Sequence, residues 1–254
     1  MKITVYGSSS KGNCSLVKFE NGVSAFLDAG ISTKLIKEKK TGKRVFVTHS
    51  HKDHSRYAKE FVEKYGCKIV LSKGTQEKLG LNDENCEIIT VLDDLQPHVA
   101  LKCVREARKN MQDFCAVAIK TYHDDPEPCA FALFAGDETL LYCMDTGRIP
   151  DTHRMLFDCI FVEANHTPER LAKSLANEEK DGVIAGRVNS GFGHVGTQDV
   201  YDAFQSVLKY NPVILLGHRS ATNFDEKEFY QMPDEFVSRC TLIEAGKTYN
   251  TSPF

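Results

Sequence analysis

Apolar residues along the chain gather in short runs, most of them of strand length. Residues 2–6 alternate and predict a strand, followed by a loop of small residues from Gly7 to Asn13. Runs 14–19 and 23–28 flank the turn signal Asn21-Gly22, and the second ends in Leu27-Asp28-Ala29-Gly30. A short helix is expected over 32–39. The compact apolar strand 44–47 then delivers the chain into Thr48-His49-Ser50-His51-Lys52-Asp53-His54. Helix 56–65, strand 68–71 and helix 73–79 follow. The stretch 87–120 alternates weakly and reads as several strands. Runs 129–135 and 139–144 predict a hairpin around Gly136-Asp137, and 159–163 a further strand before a helix that starts near 168. A helix over 198–209 leads into strand 213–216 and then His218. No low-complexity linker interrupts residues 1–254, so one domain is expected. Two strand-rich halves that each end in helices imply an α/β fold with two sheets face to face and helices outside, an αββα layering.

Composition narrows the function classes. Net charge is −3 and the pI near 6.3, with no basic tail and no long block of like charge. That disfavours a protein built to hold long nucleic acid, although folding can gather scattered lysines on one face. The nine cysteines are odd in number and form no CxxC pair, and Cys143 and Cys159 sit in apolar runs as small hydrophobes. A reducing, cytoplasmic setting is expected. The start Met-Lys-Ile-Thr-Val-Tyr-Gly is a strand and not a signal segment, and no run is long enough to span a membrane.

The strongest chemical signal is His49-x-His51-x-Asp53-His54, four metal-capable side chains within six residues directly after a strand. Imidazole and carboxylate suit Zn, Mn or Fe. A surface turn explains one histidine well; it does not explain three histidines and an aspartate at this spacing. Further ligand-type groups stand after other apolar runs: His123 after Ile119-Lys120-Thr121-Tyr122, Asp145 after Leu140–Met144, and His218 after Val213–Gly217. Alone, His123 would be an ordinary loop histidine and Asp145 the start of an Asp-x-Gly turn. Beside the cluster, all three read as ligands.

In this order, the Asp28 motif, the His49–His54 cluster, His123, Asp145 and His218 make the chain resemble the metallo-β-lactamase superfamily over nearly its whole length. The resemblance implies two divalent metal ions, zinc first and manganese as the alternative. One ion falls to His49, His51 and His123 and the other to Asp53, His54 and His218, with Asp145 between them and Asp28 orienting the ligand turn. Glu163-Ala164-Asn165-His166, Gly193-His194-Val195-Gly196-Thr197-Gln198-Asp199 and Leu216-Gly217-His218-Arg219-Ser220 resemble the RNase Z and YycJ/WalJ branch, as does Gly7-Ser8-Ser9-Ser10-Lys11-Gly12-Asn13. That likeness makes His194, Asp53 and Glu163 the candidate catalytic residues, with Glu163 orienting His194 and His166 a possible accessory. His98 and His153 have no motif around them and are expected at the surface.

These parts suit a phosphodiester. Two metals can activate water and bind a phosphoryl oxygen, and His194 can donate a hydrogen bond or a proton. Ser9, Ser10, Lys11 and Asn13 offer donors that could hold a phosphate. The expected function is a phosphodiesterase for a small, cyclic nucleotide, since no extra basic arm is visible and the chain resembles compact members of the branch such as phage anti-Pycsar enzymes. The alternatives are a YycJ/WalJ-like DNA or RNA nuclease, a glyoxalase II-like thioester hydrolase and a non-enzymatic metal- or nucleotide-binding module. The branch also implies a homodimer.

Overall fold

The structure is a computed structural model that describes residues 1–38, 42–110, 113–181 and 193–251. Its strands are β1 (Lys2–Gly7), β2 (Cys14–Lys18), β3 (Ser24–Leu27), β4 (Arg44–Phe46), β5 (Lys68–Leu71), β6 (Cys86–Ile88), β7 (Val91–Leu92), β8 (Cys115–Lys120), β9 (Cys129–Ala135), β10 (Glu138–Cys143), β11 (Cys159–Glu163), β12 (Val213–Gly217), β13 (Cys240–Leu242) and β14 (Thr248–Asn250). They form two seven-stranded sheets, ordered β14-β1-β2-β3-β4-β5-β6 and β13-β12-β11-β10-β9-β8-β7. In the first, β1–β3 are antiparallel and β3–β6 parallel; in the second, β8–β10 are antiparallel and β10–β13 parallel. The halves of the chain therefore repeat one plan: a meander that turns into parallel strands.

Strand periodicity builds the layers. Ile3, Val5, Val17, Leu27 and Phe46 of the first sheet face Phe131, Leu133, Leu140, Tyr142 and Phe161 of the second in one buried cluster. The opposite face of the first sheet sends Leu16, Phe26, Val45 and Ile69 against Ala58 and Phe61 of α2 (Ala58–Tyr65), which follows the one-turn α1 (Lys52–Ser55). The outer face of the second sheet packs Val117, Ile119, Phe134, Leu141 and Ile160 against other helices. These are Ala100, Cys103 and Ala107 of α4 (Pro97–Lys109) and Val200 and Phe204 of α6 (Thr197–Phe204); α3 (Lys73–Leu79) precedes α4 in sequence and α5 (Pro168–Asp181) precedes α6. The expected αββα layering is thus present. All seven residues of β9 and all five of β11 are buried, as strands covered on both faces must be, which explains their unbroken apolar sequence.

Three element readings need correction. The stretch 87–120 holds strands at both ends, but its middle is α4. Pro97 sits at the start of that helix and Ala100, Cys103 and Ala107 make its buried face, so small residues hid the helical period. The helix expected over 32–39 is a single 3-10 turn, Thr33–Leu35; Ser32 accepts from the Lys34 N–H at its start, and Ile36 is already extended. Residue 39 lies outside the described residues. The helix expected over 198–209 is α6 followed by the 3-10 segment Gln205–Tyr210. Among the described residues no helix is long and apolar enough to cross a membrane.

Candidate metal centre

Candidate ligands stand at or just past strand ends: His49 after β4, His123 after β8, Asp145 after β10, Glu163 at the end of β11 and His218 after β12. Asp53 and His54 come from α1, the turn of helix that His51 opens. Asp28, Asp145 and His218 are all left-handed, at φ 59°, 48° and 46°. Non-glycine residues in that region cost roughly 1–3 kcal/mol each and persist where surrounding contacts over-determine them. Those contacts are visible: the Asp28 N–H donates to the Phe46 carbonyl at 2.7 Å, and the His218 N–H to Ser8 Oγ at 2.8 Å.

The side chains converge as three overlapping groups, His49/His51/His123, Asp53/His54/Asp145/His218 and Asp145/Glu163/His194/His218, in each of which the ligand atoms lie within 4.8 Å of one another; the first two are the sets expected from sequence. Asp145 stands between them. Its Oδ2 is 3.8 Å from His49 Nε2, 3.9 Å from His123 Nε2 and 3.1 Å from His54 Nε2, and its Oδ1 is 3.1 Å from His218 Nδ1. Several of these atoms are close but not aligned on each other. His49 Nε2, Asp145 Oδ1 and both ring nitrogens of His218 are buried without a hydrogen-bond partner. Orphaned buried nitrogens and oxygens are costly. Here they surround common points, which is the arrangement a cation satisfies and a protein-only network does not. The residues present therefore fit two divalent ions with nitrogen and oxygen ligands, the donor set of Zn or Mn.

The electrostatics agree. Burial pushes His49 well below the ordinary histidine range, so it stays a neutral ligand. Burial opposes charging His218 too, but Asp145, Asp53 and Glu163 outweigh it and push its pKa up to about 10. His54 is raised in the same way by Asp145 and Asp28. The carboxylates hold protons on the very nitrogens that a cation would need.

Asp28 is wholly buried and takes four hydrogen bonds. The Thr48 N–H and hydroxyl donate to Oδ1 at 2.9 and 3.0 Å, and the Tyr142 hydroxyl and His54 Nδ1 meet Oδ2 at 2.7 Å each. This commits His54 Nδ1 to Asp28 and leaves Nε2 facing the ligand set, where it meets Asn13 Nδ2 at 2.9 Å.

His194 and Glu163 come together: Nδ1 to Oε2 is 2.7 Å, and Glu163 Oε1 also accepts the Thr146 N–H at 2.5 Å. The imidazole stacks on His218 with centroids 5.2 Å apart. Of the small-residue loop after β1, Asn13 is buried against Asp53 and His54, Ser9 is half-buried, and Ser10 and Lys11 are exposed. His166 is buried but joins neither ligand set; it packs against Gly196, where a Cβ would come within 2.6 Å of its ring. His98 and His153 are exposed, and His153 pairs with Asp94 at 3.0 Å.

Three residues, Tyr142, Asp124 and Asp125, were not singled out from sequence, and Ser8, part of the small-residue loop, has a partner that sequence did not foresee. Tyr142 holds Asp28 and Ser8 holds His218. Asp125 binds the Ser50 hydroxyl inside the ligand turn, and Asp124 Oδ1 lies 3.3 Å from His123 Nε2 and 3.5 Å from His51 Nε2. Of these, only Asp124-Asp125 carried a signal, two carboxylates directly after His123.

No family model matches the chain, and no curated protein matches it in sequence. Solved structures do match. Human tRNase Z, short form, is 14% identical with a TM-score of 0.62, covering 100% of both chains. The metallo-β-lactamase fold protein YhfI from Bacillus subtilis is 15% identical with a TM-score of 0.62, covering 98% of each chain. A diphosphatase from the PhnP family is 14% identical with a TM-score of 0.61, covering 98% of this chain and 96% of that one. At such identities the likeness speaks for the architecture: this chain has the metallo-β-lactamase fold.

Proposed function

We propose that the protein is a dinuclear, metal-dependent phosphodiesterase whose substrate is a small nucleotide, a cyclic nucleotide being the specific form expected from sequence. The observation that supports this reading is the His194–Glu163 pair, at 2.7 Å, beside two groups of candidate ligands that do not include His194. His49, His51 and His123 would hold one ion and Asp53, His54 and His218 the other, with Asp145 shared. When bound, such ions supply Lewis acidity toward a phosphoryl oxygen and lower the pKa of a water.

The chain's own residues do the rest. Glu163 fixes the ring of His194 through Nδ1, which leaves Nε2 for the substrate. A proton delivered from Nε2 to the departing alkoxide is the general-acid step that cleavage of a ribose ester requires. Asp28 and Thr48 keep His54 and His49 in place: Thr48 Oγ1 lies 3.0 Å from His49 Nδ1, so the metal-facing nitrogen of each ring is set by the partner of the other. Ser10 and Lys11, exposed, and half-buried Ser9 would offer donors to phosphate oxygens, while Asn13, turned inward, steadies Asp53 and His54.

A thioester hydrolase would share the ligands but would have no use for a proton donor held by a buried carboxylate, since a thiolate leaves readily. Turnover of zinc- and manganese-loaded protein on bis-p-nitrophenyl phosphate, cyclic nucleotides, single-stranded DNA and an acyl-glutathione thioester tests the reading. Phosphodiester cleavage with little thioester cleavage is expected; the reverse preference would refute it. The same reading includes a homodimer in solution, which sedimentation would check.

A further inference from the structure

The third group of converging side chains, Asp145, Glu163, His194 and His218, uses atoms that the other two groups leave over. His218 turns Nε2 toward Asp53, 3.8 Å from Oδ2, and Nδ1 toward Asp145 Oδ1 and Glu163 Oε2, at 3.1 and 3.5 Å. Asp145 divides in the same way. Its Oδ2 lies among His49, His54 and His123, while Oδ1 is 3.1 Å from His218 Nδ1 and 3.9 Å from His194 Nδ1. Glu163 gives Oε1 to the Thr146 N–H and turns Oε2 to His194 Nδ1 at 2.7 Å. The two imidazoles are stacked, and both Nδ1 atoms meet the same pair of carboxylate oxygens.

Four-coordinate zinc, with bonds of about 2.0–2.2 Å, sets its ligand atoms about 3.3–3.6 Å apart. The four nitrogen–oxygen separations here, 2.7, 3.1, 3.5 and 3.9 Å, straddle that spacing. Burial adds a second, independent observation. Asp145, Glu163 and His218 are 3, 0 and 6% exposed, and Asp145 Oδ1 and His218 Nδ1 are buried without a hydrogen-bond partner. Ions held by the first two sets through Asp145 Oδ2 and His218 Nε2 leave both of these atoms unmatched, which is costly for buried polar groups.

We infer that Asp145 Oδ1, Glu163 Oε2 and the Nδ1 atoms of His194 and His218 form a third zinc site, filled only in excess of the two ions that activity needs, and that filling it switches the protein off. The binding stands by itself; the loss of activity rests on the proposed phosphodiesterase reading. The site is the weakest of the three because His218 must serve two ions through one ring and give up its remaining ring proton. The ion also replaces the proton that His194 Nδ1 shares with Glu163, and both protons leave to solvent. A neutral imidazole held through Nδ1 keeps its Nε2 proton far more tightly than an imidazolium does. His194 then cannot supply it to a departing alkoxide. A leaving group that departs without a proton is largely indifferent to the change.

Equilibrium dialysis of the full chain against buffered zinc, with bound metal counted by elemental analysis, reads the site directly. Wild type should show a plateau at two ions and then rise to three. His194→Ala, checked for unchanged thermal unfolding, should stop at two, its third ion weakened by at least about 100-fold, the upper end of what losing a mere supporting contact costs. Cobalt gives a second readout: a third equivalent should add visible bands of four-coordinate ligation in wild type and none in His194→Ala. Over the zinc range that fills the third site, kcat on a cyclic nucleotide should fall about 100-fold or more, as for loss of a general acid, and kcat on bis-p-nitrophenyl phosphate far less. Bound zinc that never passes two, a third ion bound equally by His194→Ala, or equal inhibition on both substrates overturns the inference. Absent turnover of both substrates by the two-ion protein, with a third ion that still depends on His194, would reject the phosphodiesterase reading and leave the metal site standing.

Discussion

Tyr142→Phe removes one oxygen from the centre of the molecule and should be felt at the metal site. The Tyr142 hydroxyl comes from the second sheet and donates at 2.7 Å to Asp28 of the first, across the core. Burial and the neighbouring Asp28 carboxylate drive its pKa well above the usual phenol range, so it remains a donor at any working pH. Phenylalanine fills the same space, so no large cavity opens, and the loss is that of a buried hydrogen bond to a charged acceptor, about 1.5–3 kcal/mol. Asp28 Oδ2 then keeps only His54 Nδ1, and the carboxylate is free to tilt. Because Asp28 sets the orientation of His54, metal affinity in the Asp53/His54/His218 set should fall about 10- to 100-fold, the usual effect of losing an outer-shell partner. Urea unfolding of metal-free protein measures the first effect, and competition against a chromophoric chelator the second. A stability change below about 0.5 kcal/mol together with unaltered metal affinity would show that the cross-sheet contact does not hold the site, and would refute the argument.

Other expectations follow from the same geometry. His194→Ala should keep both metals and the fold but lose about 100- to 10,000-fold in kcat on a ribose ester, and less on a p-nitrophenyl ester, whose leaving group needs no proton; unchanged kcat on the nucleotide would remove His194 from the chemistry. Glu163→Gln should lower kcat in the same pattern but more mildly, and because Glu163 also holds the Thr146 N–H next to Asp145, it should loosen metal binding where His194→Ala does not. His54 and His218 both carry raised pKa values without metal, so loading must release their protons. Metal affinity should therefore rise between about pH 6.5 and 10, seen as a buffer-dependent enthalpy in calorimetry. For the metal-free protein the sign is opposite. A folded-state pKa above the unfolded one stabilises fully below about 6.5, and that stabilisation is lost as pH climbs toward 10, so urea midpoints should fall over that window. Away from the site, Asp94 raises the pKa of exposed His153, and Asp94→Asn should bring its NMR titration back down toward 6.5.

Much of the site was legible because ligands sit where apolar strands end. β4, β8, β10 and β12 stop one to three residues before His49, His123, Asp145 and His218, and a buried strand is easy to read as an apolar run. The layers were legible for the same reason, since two-sided burial leaves unbroken runs such as Cys129–Ala135. What escaped was held by distance in sequence. Tyr142 meets Asp28 over 114 residues, Ser8 meets His218 over 210, and Asp125 meets Ser50 over 75, with no local pattern to mark any of them. Helix α4 escaped because alanine and cysteine make its buried face, although Pro97 marked its start.

The central claim is that the two ligand sets hold two ions that act together on a phosphodiester. Its most direct test is the turnover of bis-p-nitrophenyl phosphate by protein titrated from metal-free to fully loaded, with bound metal counted at each step. Activity that stays low until the second ion binds and saturates at two ions per chain is the predicted result. Full activity at one ion per chain, or none at two, would contradict it.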